Sequence, residues 1–360
     1  MLQSPEKSSS KEEKISADDE DCKPDLGCPS TGTHFVPGIL CAPRPRTRSR
    51  LNDSGFFDED NKVTDAENTS FTVASDQGRD TVEDWASVSS YRSQIMRYAM
   101  ALENKYQLPE NFLEKQGEVS HQARAVLIDW LIEVHLFYNF PQDCLYLIVA
   151  LVDRYMSLRT VPVAHFQLLG MACLLVACKY EDSSLEYLIF ARFVPTREEL
   201  VAMADQAFDQ SELRHMETRL LTCLEFDLAQ PLPTFFLRPI ARASAIDLET
   251  YVVSKFIMEA AMLDAIMVTF KPSIIAATAF FMARGFVWED GRLIQTVPGS
   301  GYKYEDLRPC LLRMSEVLLD LENMECKGIL RKYNRLGLCP SIIRSFVTHP
   351  IMKQLTSTTS

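Results

Sequence analysis

Two segments of helical length are apolar almost throughout, and they constrain the fold more than any other feature of the chain. "QLLGMACLLVACK" begins at Gln167 and "SIIAATAFFMARG" begins at Ser273. A helix that is apolar on all faces must be buried on all faces. Both segments place small residues at matching positions, such as Gly170 and Ala276, which lets neighbouring helices approach closely. The sequence therefore predicts two similar helical bundles, each built around one central helix.

Apolar residues continue at helical spacing through most of the chain from Tyr91 onward, and no useful length alternates as a β-strand does. The proline-marked stretch "LAQPLP" at 228–233 separates two halves with about five helices each. The expected fold is all-α, with tandem bundles at 90–229 and 230–348. Besides a helix that begins near Tyr91, helices are predicted at about 121–138, 142–157, 164–180, 209–224, 232–243, 247–264, 272–286, 304–322 and 325–334.

The first 89 residues have a different character from the rest of the chain. Segment 1–89 is rich in Ser, Asp, Glu, Thr and Pro, and its apolar residues are scattered singly. Such a composition cannot bury enough surface to offset its ordering entropy. We therefore expect a disordered regulatory tail at 1–89, ahead of the two bundles.

Composition excludes several classes of protein. The net charge of −12 disfavours nucleic acid as a partner, because phosphate contacts need a basic surface. The 10 cysteines form no CxxC pair, which predicts free thiols and no metal site. No signal pattern opens the chain, and its longest apolar stretch, around Phe166 to Cys178, is too short for a bilayer. HExxH, GxSxG, P-loop and GxGxxG motifs are absent. We expect a soluble intracellular protein with no catalytic site, cofactor or membrane partner.

A series of short motifs resembles the cyclin family. "ARAVLIDWLIEV" at 123–134 is followed by "LVDRYMS", "ACKYED", "LEFDL" and "FKPSIIAATAF", in the order and spacing of two successive cyclin boxes. The string from "PLPTFFLR" onward resembles B-type mitotic cyclins in particular. The resemblance covers roughly 83–348. It implies a regulatory subunit that binds and activates a cyclin-dependent kinase at the G2/M transition, in the nucleus and cytoplasm.

The resemblance also implies where the kinase binds. In the family, a lysine and a glutamate on two core helices reach a backbone segment of the kinase, and the matching residues are Lys179 and Glu217. Lone Lys and Glu side chains are rarely buried unless paired, so the alternative is that these two simply satisfy each other. The other implied kinase contacts are aromatic or apolar: Tyr91, Ile95, Tyr98, Leu221, Phe226 and Leu228.

Helix 121–138 carries two further implied features. In the family one edge of this helix docks substrates and inhibitors that bear an Arg-x-Leu motif, since an apolar notch suits leucine and a carboxylate suits arginine. The alternative for its tryptophan is plain core packing. Arg124 is expected to pair with Asp153 and hold the first box together as a buried ion pair. Here Ala123 replaces the usual methionine, which shrinks the apolar wall. The matching docking positions are Ala123, Val126, Leu127, Trp130, Glu133 and Gln167.

Two segments lie outside the core of the resemblance. "RSRL", from Arg48 to Leu51, fits the Arg-x-x-Leu core of the destruction box that a ubiquitin ligase of mitotic exit recognises. The alternatives are a solvated basic patch or part of a nuclear-import signal. Ser183 to Arg192 is an insertion that family members lack, directly after the "ACKYED" motif. The alternatives to a kinase regulator are a cyclin-fold adaptor in transcription and an all-α enzyme with an unrecognised site.

Overall fold

The structure is a computed structural model that describes residues 91–181, 194–244, 246–287, 296–321, 323–324 and 326–335. The predicted tail and the insertion lie outside these residues. The described part contains helices and no strand, apart from one isolated bridge between Thr296 and Lys303. Its helices are α1 (Arg92–Tyr106), α2 (His121–Tyr138), α3 (Gln142–Leu158), α4 (Phe166–Glu181), α5 (Arg197–Met203), α6 (Gln210–Cys223), α7 (Pro233–Ser244), α8 (Leu248–Ala261), α9 (Pro272–Val287), α10 (Tyr304–Asp320) and α11 (Gly328–Arg335).

Several helix boundaries follow from local capping chemistry. The side chain of Ser120 accepts a hydrogen bond from the backbone N–H of Ala123 at the start of α2. α2 ends at Asn139, whose φ of 53° is left-handed. α5 and α6 both begin with reciprocal capping boxes, formed by Thr196 with Glu199 in α5. α5 was not predicted, because its seven residues are too few to show a helical period.

The first half is organised around α4. Every side chain of α4 from Phe166 to Cys178 is buried, and the helix packs against α2, α3 and α6. Gly170 permits the close crossing of α2, because an added Cβ would lie 2.9 Å from Leu127 Cδ1. The predicted central helix of the first bundle is confirmed.

The second half repeats this plan around α9. This helix packs against α7, α8 and α10, and Ala276, Ala279 and Phe280 are completely buried in it. The two apolar segments of the sequence are therefore the two central helices. The predicted all-α fold with two tandem bundles is confirmed.

The stretch from Val163 to Glu181 is long and apolar enough, by length and composition alone, to cross a membrane. This corrects the expectation that the apolar stretch is too short, because a 3₁₀ turn at Val163–His165 lengthens it. The structure buries 72% of the segment inside the protein, as expected for the central helix of a bundle.

The two halves are joined by contacts on several sides. Gln142 on α3 donates a hydrogen bond to Glu259 Oε1 on α8 at 2.8 Å. The same oxygen accepts from Lys332 on α11 at 2.9 Å. α11 itself follows the second bundle in sequence but packs against α2 of the first and α8 of the second. α11 therefore spans the junction between the halves.

Candidate functional site

A charged cluster lies where the end of α4 meets α5 and α6. Lys179 forms an ion pair with the Oε1 atom of Glu217, and the guanidinium of Arg197 binds Oε2 at 3.0 Å. The Lys179 side chain is 44% exposed, so part of its ammonium group faces solvent. Lys179 and Glu217 were predicted from the resemblance, and Arg197 was not. Its position directly after the Thr196 cap is the signal that could have placed it at the start of a helix.

The cluster keeps Glu217 ionised. Burial opposes its ionisation, but the hydrogen bonds from Lys179 and Arg197 outweigh burial and leave the pKa of the carboxyl below its ordinary value. Two cations therefore share one anion, and the cluster carries a net positive charge. The ammonium of Lys179 has three donors and uses one on Glu217, so it can donate to the carbonyl oxygens of another chain.

Large apolar side chains are exposed among the predicted kinase contacts. Phe226 is 71% exposed, and Tyr91, Ile95 and Tyr98 are also exposed. Leu221 and Leu228 are half-buried, while Tyr180, which the sequence analysis did not select, is exposed beside Lys179. Exposed aromatic groups of this size are typical of partner-binding surfaces.

The backbone holds Phe226 in an unusual conformation. Glu225 and Phe226 have φ values of 53° and 58°, and a bulky residue rarely adopts such left-handed angles. The next residue, Asp227, anchors this turn, since its carboxylate accepts a hydrogen bond from Tyr106 at 2.5 Å. Its carbonyl accepts another from Arg154 at 2.8 Å. A strained backbone that exposes an aromatic ring is typical of a functional surface.

The predicted docking residues are largely enclosed. Ala123, Leu127, Trp130 and Gln167 are buried, while Val126 and Glu133 are half-buried. The family resemblance implied an apolar notch for leucine along this edge, and in the structure most of these residues are covered. The enclosure arises partly because α11 packs against α2, where the Glu133 carboxylate pairs with Arg331.

Two buried donors in the docking region have no hydrogen-bond partner within the described part of the chain. They are the indole N–H of Trp130 and the side-chain amide nitrogen of Gln167. Each unpaired buried donor costs about 1–3 kcal/mol of stability.

Arg124 and Asp153 form a completely buried, bidentate ion pair. The Nε–Oδ1 and Nη2–Oδ2 distances are both 2.7 Å. The remaining nitrogen, Nη1, donates to the backbone carbonyls of Met262 and Leu263 at 2.9 and 3.2 Å. The predicted pair between Arg124 and Asp153 is therefore present, and Arg124 in addition reaches the second half.

Among the described residues, a cleft lies at the junction of the halves. It has about 770 Å³ of empty space, open to solvent, and its walls include Leu232, Met258 and Phe270. Of its acidic groups, Asp153 already binds Arg124 through both oxygens. The described residues contain no group of three or more potential metal ligands.

Comparison with known proteins identifies the family. The sequence pattern described as "Cyclin, N-terminal domain" matches residues 94–229, and "Cyclin, C-terminal domain" matches residues 231–339. The chain belongs to the cyclin family. This cyclin is 33% identical over 261 residues to the G2/mitotic-specific cyclin-4 of Candida albicans, covering 72% of this chain and 51% of that protein.

Other relatives are also mitotic cyclins. The G2/mitotic-specific cyclin-B2 of Bos taurus is 32% identical, over 70% of this chain and 62% of its own length. The G2/mitotic-specific cyclin-B of Hydra vulgaris is 29% identical, and the match covers 71% of this chain and 69% of that protein. This cyclin therefore spans about half to two thirds of the length of these relatives. The predicted likeness to B-type cyclins is confirmed, and the transcriptional alternative is not favoured.

A solved structure of a viral cyclin from herpesvirus saimiri also matches. The two chains superpose with a TM-score of 0.45 and are 18% identical. The match covers 73% of this chain and 96% of the viral one.

Proposed function

We propose that this cyclin binds a cyclin-dependent protein kinase and shifts it to its active state at the G2/M transition. The observation that carries the proposal is the cluster of Lys179, Arg197 and Glu217, which offers exposed donors next to the exposed ring of Tyr180. Its relatives are named as mitotic cyclins, which supports the same role.

The mechanism follows from how kinases are switched. An active kinase needs an ordered activation loop and an intact ion pair between a lysine on one of its strands and a glutamate on its mobile helix. A bound protein shifts the equilibrium between the inactive and active states of a kinase only if it binds the active state more tightly than the inactive one. We propose that the donors of the charged cluster and the exposed aromatic rings supply this difference in affinity, because they contact the kinase helix only in its inward position.

Charge removal at the cluster tests the proposal. Lys179→Ala and Glu217→Ala should each weaken binding to a purified mitotic cyclin-dependent kinase more than tenfold. The physical reason is the loss of a charge-assisted contact of about 1.5–3 kcal/mol. Binding is measured by calorimetry and activation by phosphorylation of a short peptide substrate.

The control is Arg313→Ala, which removes a similarly half-exposed ion pair with Asp264 in the second half. It should leave kinase binding unchanged. Lys179→Ala should melt close to the wild-type temperature, because its ammonium is half-exposed, Arg197 still pairs with Glu217, and such an ion pair contributes only about 0–1 kcal/mol to stability. Wild-type binding in both cluster variants would contradict the proposal, and a large loss of stability would favour a purely structural pair.

We further propose that the α2 edge docks Arg-x-Leu peptides and that "RSRL" is the signal for timed destruction. Arg48 and Leu51 lie outside the described residues, so the second proposal rests on the sequence alone. The test follows the level of a protein that carries both Arg48→Ala and Leu51→Ala through mitotic exit. Disappearance on the wild-type schedule would exclude this motif as the recognition signal.

A further inference from the structure

The acidic edge of α2 already holds an arginine of the same chain. Asp129 and Glu133 are four residues apart and therefore lie on one face of the helix. Arg331 on α11 pairs with Glu133, and its Nη2 atom lies 3.7 Å from Asp129 Oδ2. The backbone N–H of Gly328 donates to Asp129 Oδ1 at 2.6 Å. α11 thus engages both carboxylates.

A glycine makes this close approach possible. A Cβ atom added at Gly328 would lie 2.7 Å from Asp129 Oδ1 and 2.9 Å from the Asp129 carbonyl oxygen. The second atom belongs to the backbone of α2 and cannot move aside. Any other residue at 328 would therefore force α11 away from α2, and Arg331 with it.

We infer that Arg331 sets the strength and specificity of peptide docking, because it competes with the arginine of an incoming Arg-x-Leu peptide for Glu133 and Asp129. The inference deepens the docking proposal and rests on it. Beside the occupied carboxylates, the N–H donors of Trp130 and Gln167 are buried and have no hydrogen-bond partner among the described residues, so this edge of α2 keeps polar groups that its own packing does not satisfy. A peptide then binds with an affinity reduced by the fraction of molecules in which Arg331 occupies the acidic edge.

Substitution of Arg331 tests the competition directly. The full chain, wild type or Arg331→Gln, is titrated against a fluorescent peptide that carries an Arg-x-Leu motif, and binding is followed by polarisation. We expect Arg331→Gln to bind about two- to fivefold more tightly, the range for loss of a partly exposed ion pair. Gly328→Ala should give a gain in the same direction, because it displaces α11 without altering any charge.

Two controls separate competition from a general change in the protein. Arg313→Ala removes an arginine of similar exposure, 33% against 38%, that pairs elsewhere, and should leave peptide affinity unchanged. A second peptide carries citrulline in place of arginine, so it keeps the shape and loses the charge. Arg331→Gln should not improve binding of the citrulline peptide, since the uncharged citrulline forms no ion pair with the carboxylates.

The inference is overturned if folded Arg331→Gln and Gly328→Ala proteins bind the arginine peptide as wild type does. An equal gain for the citrulline peptide would also overturn it, because a loosened α11 rather than a freed carboxylate would then be the cause. Activation of the kinase toward a peptide without the motif is measured in parallel. Loss of activation in every protein contradicts the kinase proposal, whereas intact activation with unchanged docking contradicts only the role of Arg331.

Discussion

A single guanidinium group, that of Arg124, links the two halves of this cyclin. Its pairing with Asp153 was predictable from the cyclin resemblance, since both residues stand in family motifs. Its bonds to the carbonyls of Met262 and Leu263 were not, because a backbone acceptor leaves no mark in the sequence. Arg197 was missed for a related reason: many arginines are solvated, and only the fold brings this one to Glu217.

Replacing Arg124 should therefore destabilise the protein strongly. We expect Arg124→Ala to lower the free energy of unfolding by about 3–5 kcal/mol, because it strands the Asp153 carboxylate in the core. Urea denaturation followed by circular dichroism measures the change. Arg214→Ala, an exposed site on α6, is the control and should stay within about 0.5 kcal/mol of wild type. An Arg124→Ala protein as stable as that control would mean that the buried pair contributes nothing.

At the level of whole helices, hydrophobic patterning predicted the long helices that are uniformly apolar and did not predict the short one. α4 and α9 were clear because they are apolar on every face. α5 was missed although Thr196 and Glu199 form a capping box at its start. α11 was expected as a helix at 325–334, but its packing against α2 depends on Gly328 and Arg331, which the sequence gives no reason to place beside Asp129.

The crossing of α2 and α4 gives a prediction at this scale. Gly170→Val should reduce the free energy of unfolding by about 1–3 kcal/mol, because the new side chain would overlap Leu127 and Leu131. The gain in helix propensity from removing a glycine is about 0.5 kcal/mol or less and does not offset this. Thermal and urea denaturation measure the change. Gly117→Val, at a site with no atom within 4 Å of an added Cβ, is the control and should be nearly neutral; equal losses at both positions would contradict close packing as the cause.

Across the whole molecule, the bonds between the halves join residues far apart in the sequence. The carboxylate of Glu259 accepts two such hydrogen bonds, one from Gln142 on α3 and one from Lys332 on α11. Gln107 donates to the carbonyl of Thr269 at 3.4 Å in a further link. Periodicity and capping are local signals, so they predicted two bundles and gave no information on how tightly the bundles are coupled. The number and burial of these links favour unfolding of the described core as one unit.

Hydrogen exchange can measure this coupling. In wild-type protein, the slowest amides of α4 and α9 should open with the same free energy, because neither half unfolds without breaking the shared bonds. Arg124→Lys keeps a positive partner for Asp153 but loses the planar fork that also reaches Met262 and Leu263. We expect the opening free energies of α4 and α9 to diverge in this variant by at least about 1 kcal/mol, the scale of a lost hydrogen bond. Arg313→Lys, whose partner Asp264 lies in the same half, should keep them equal. If α4 and α9 already open with different free energies in the wild type, the halves are independent and the Arg124 bridge does not couple them.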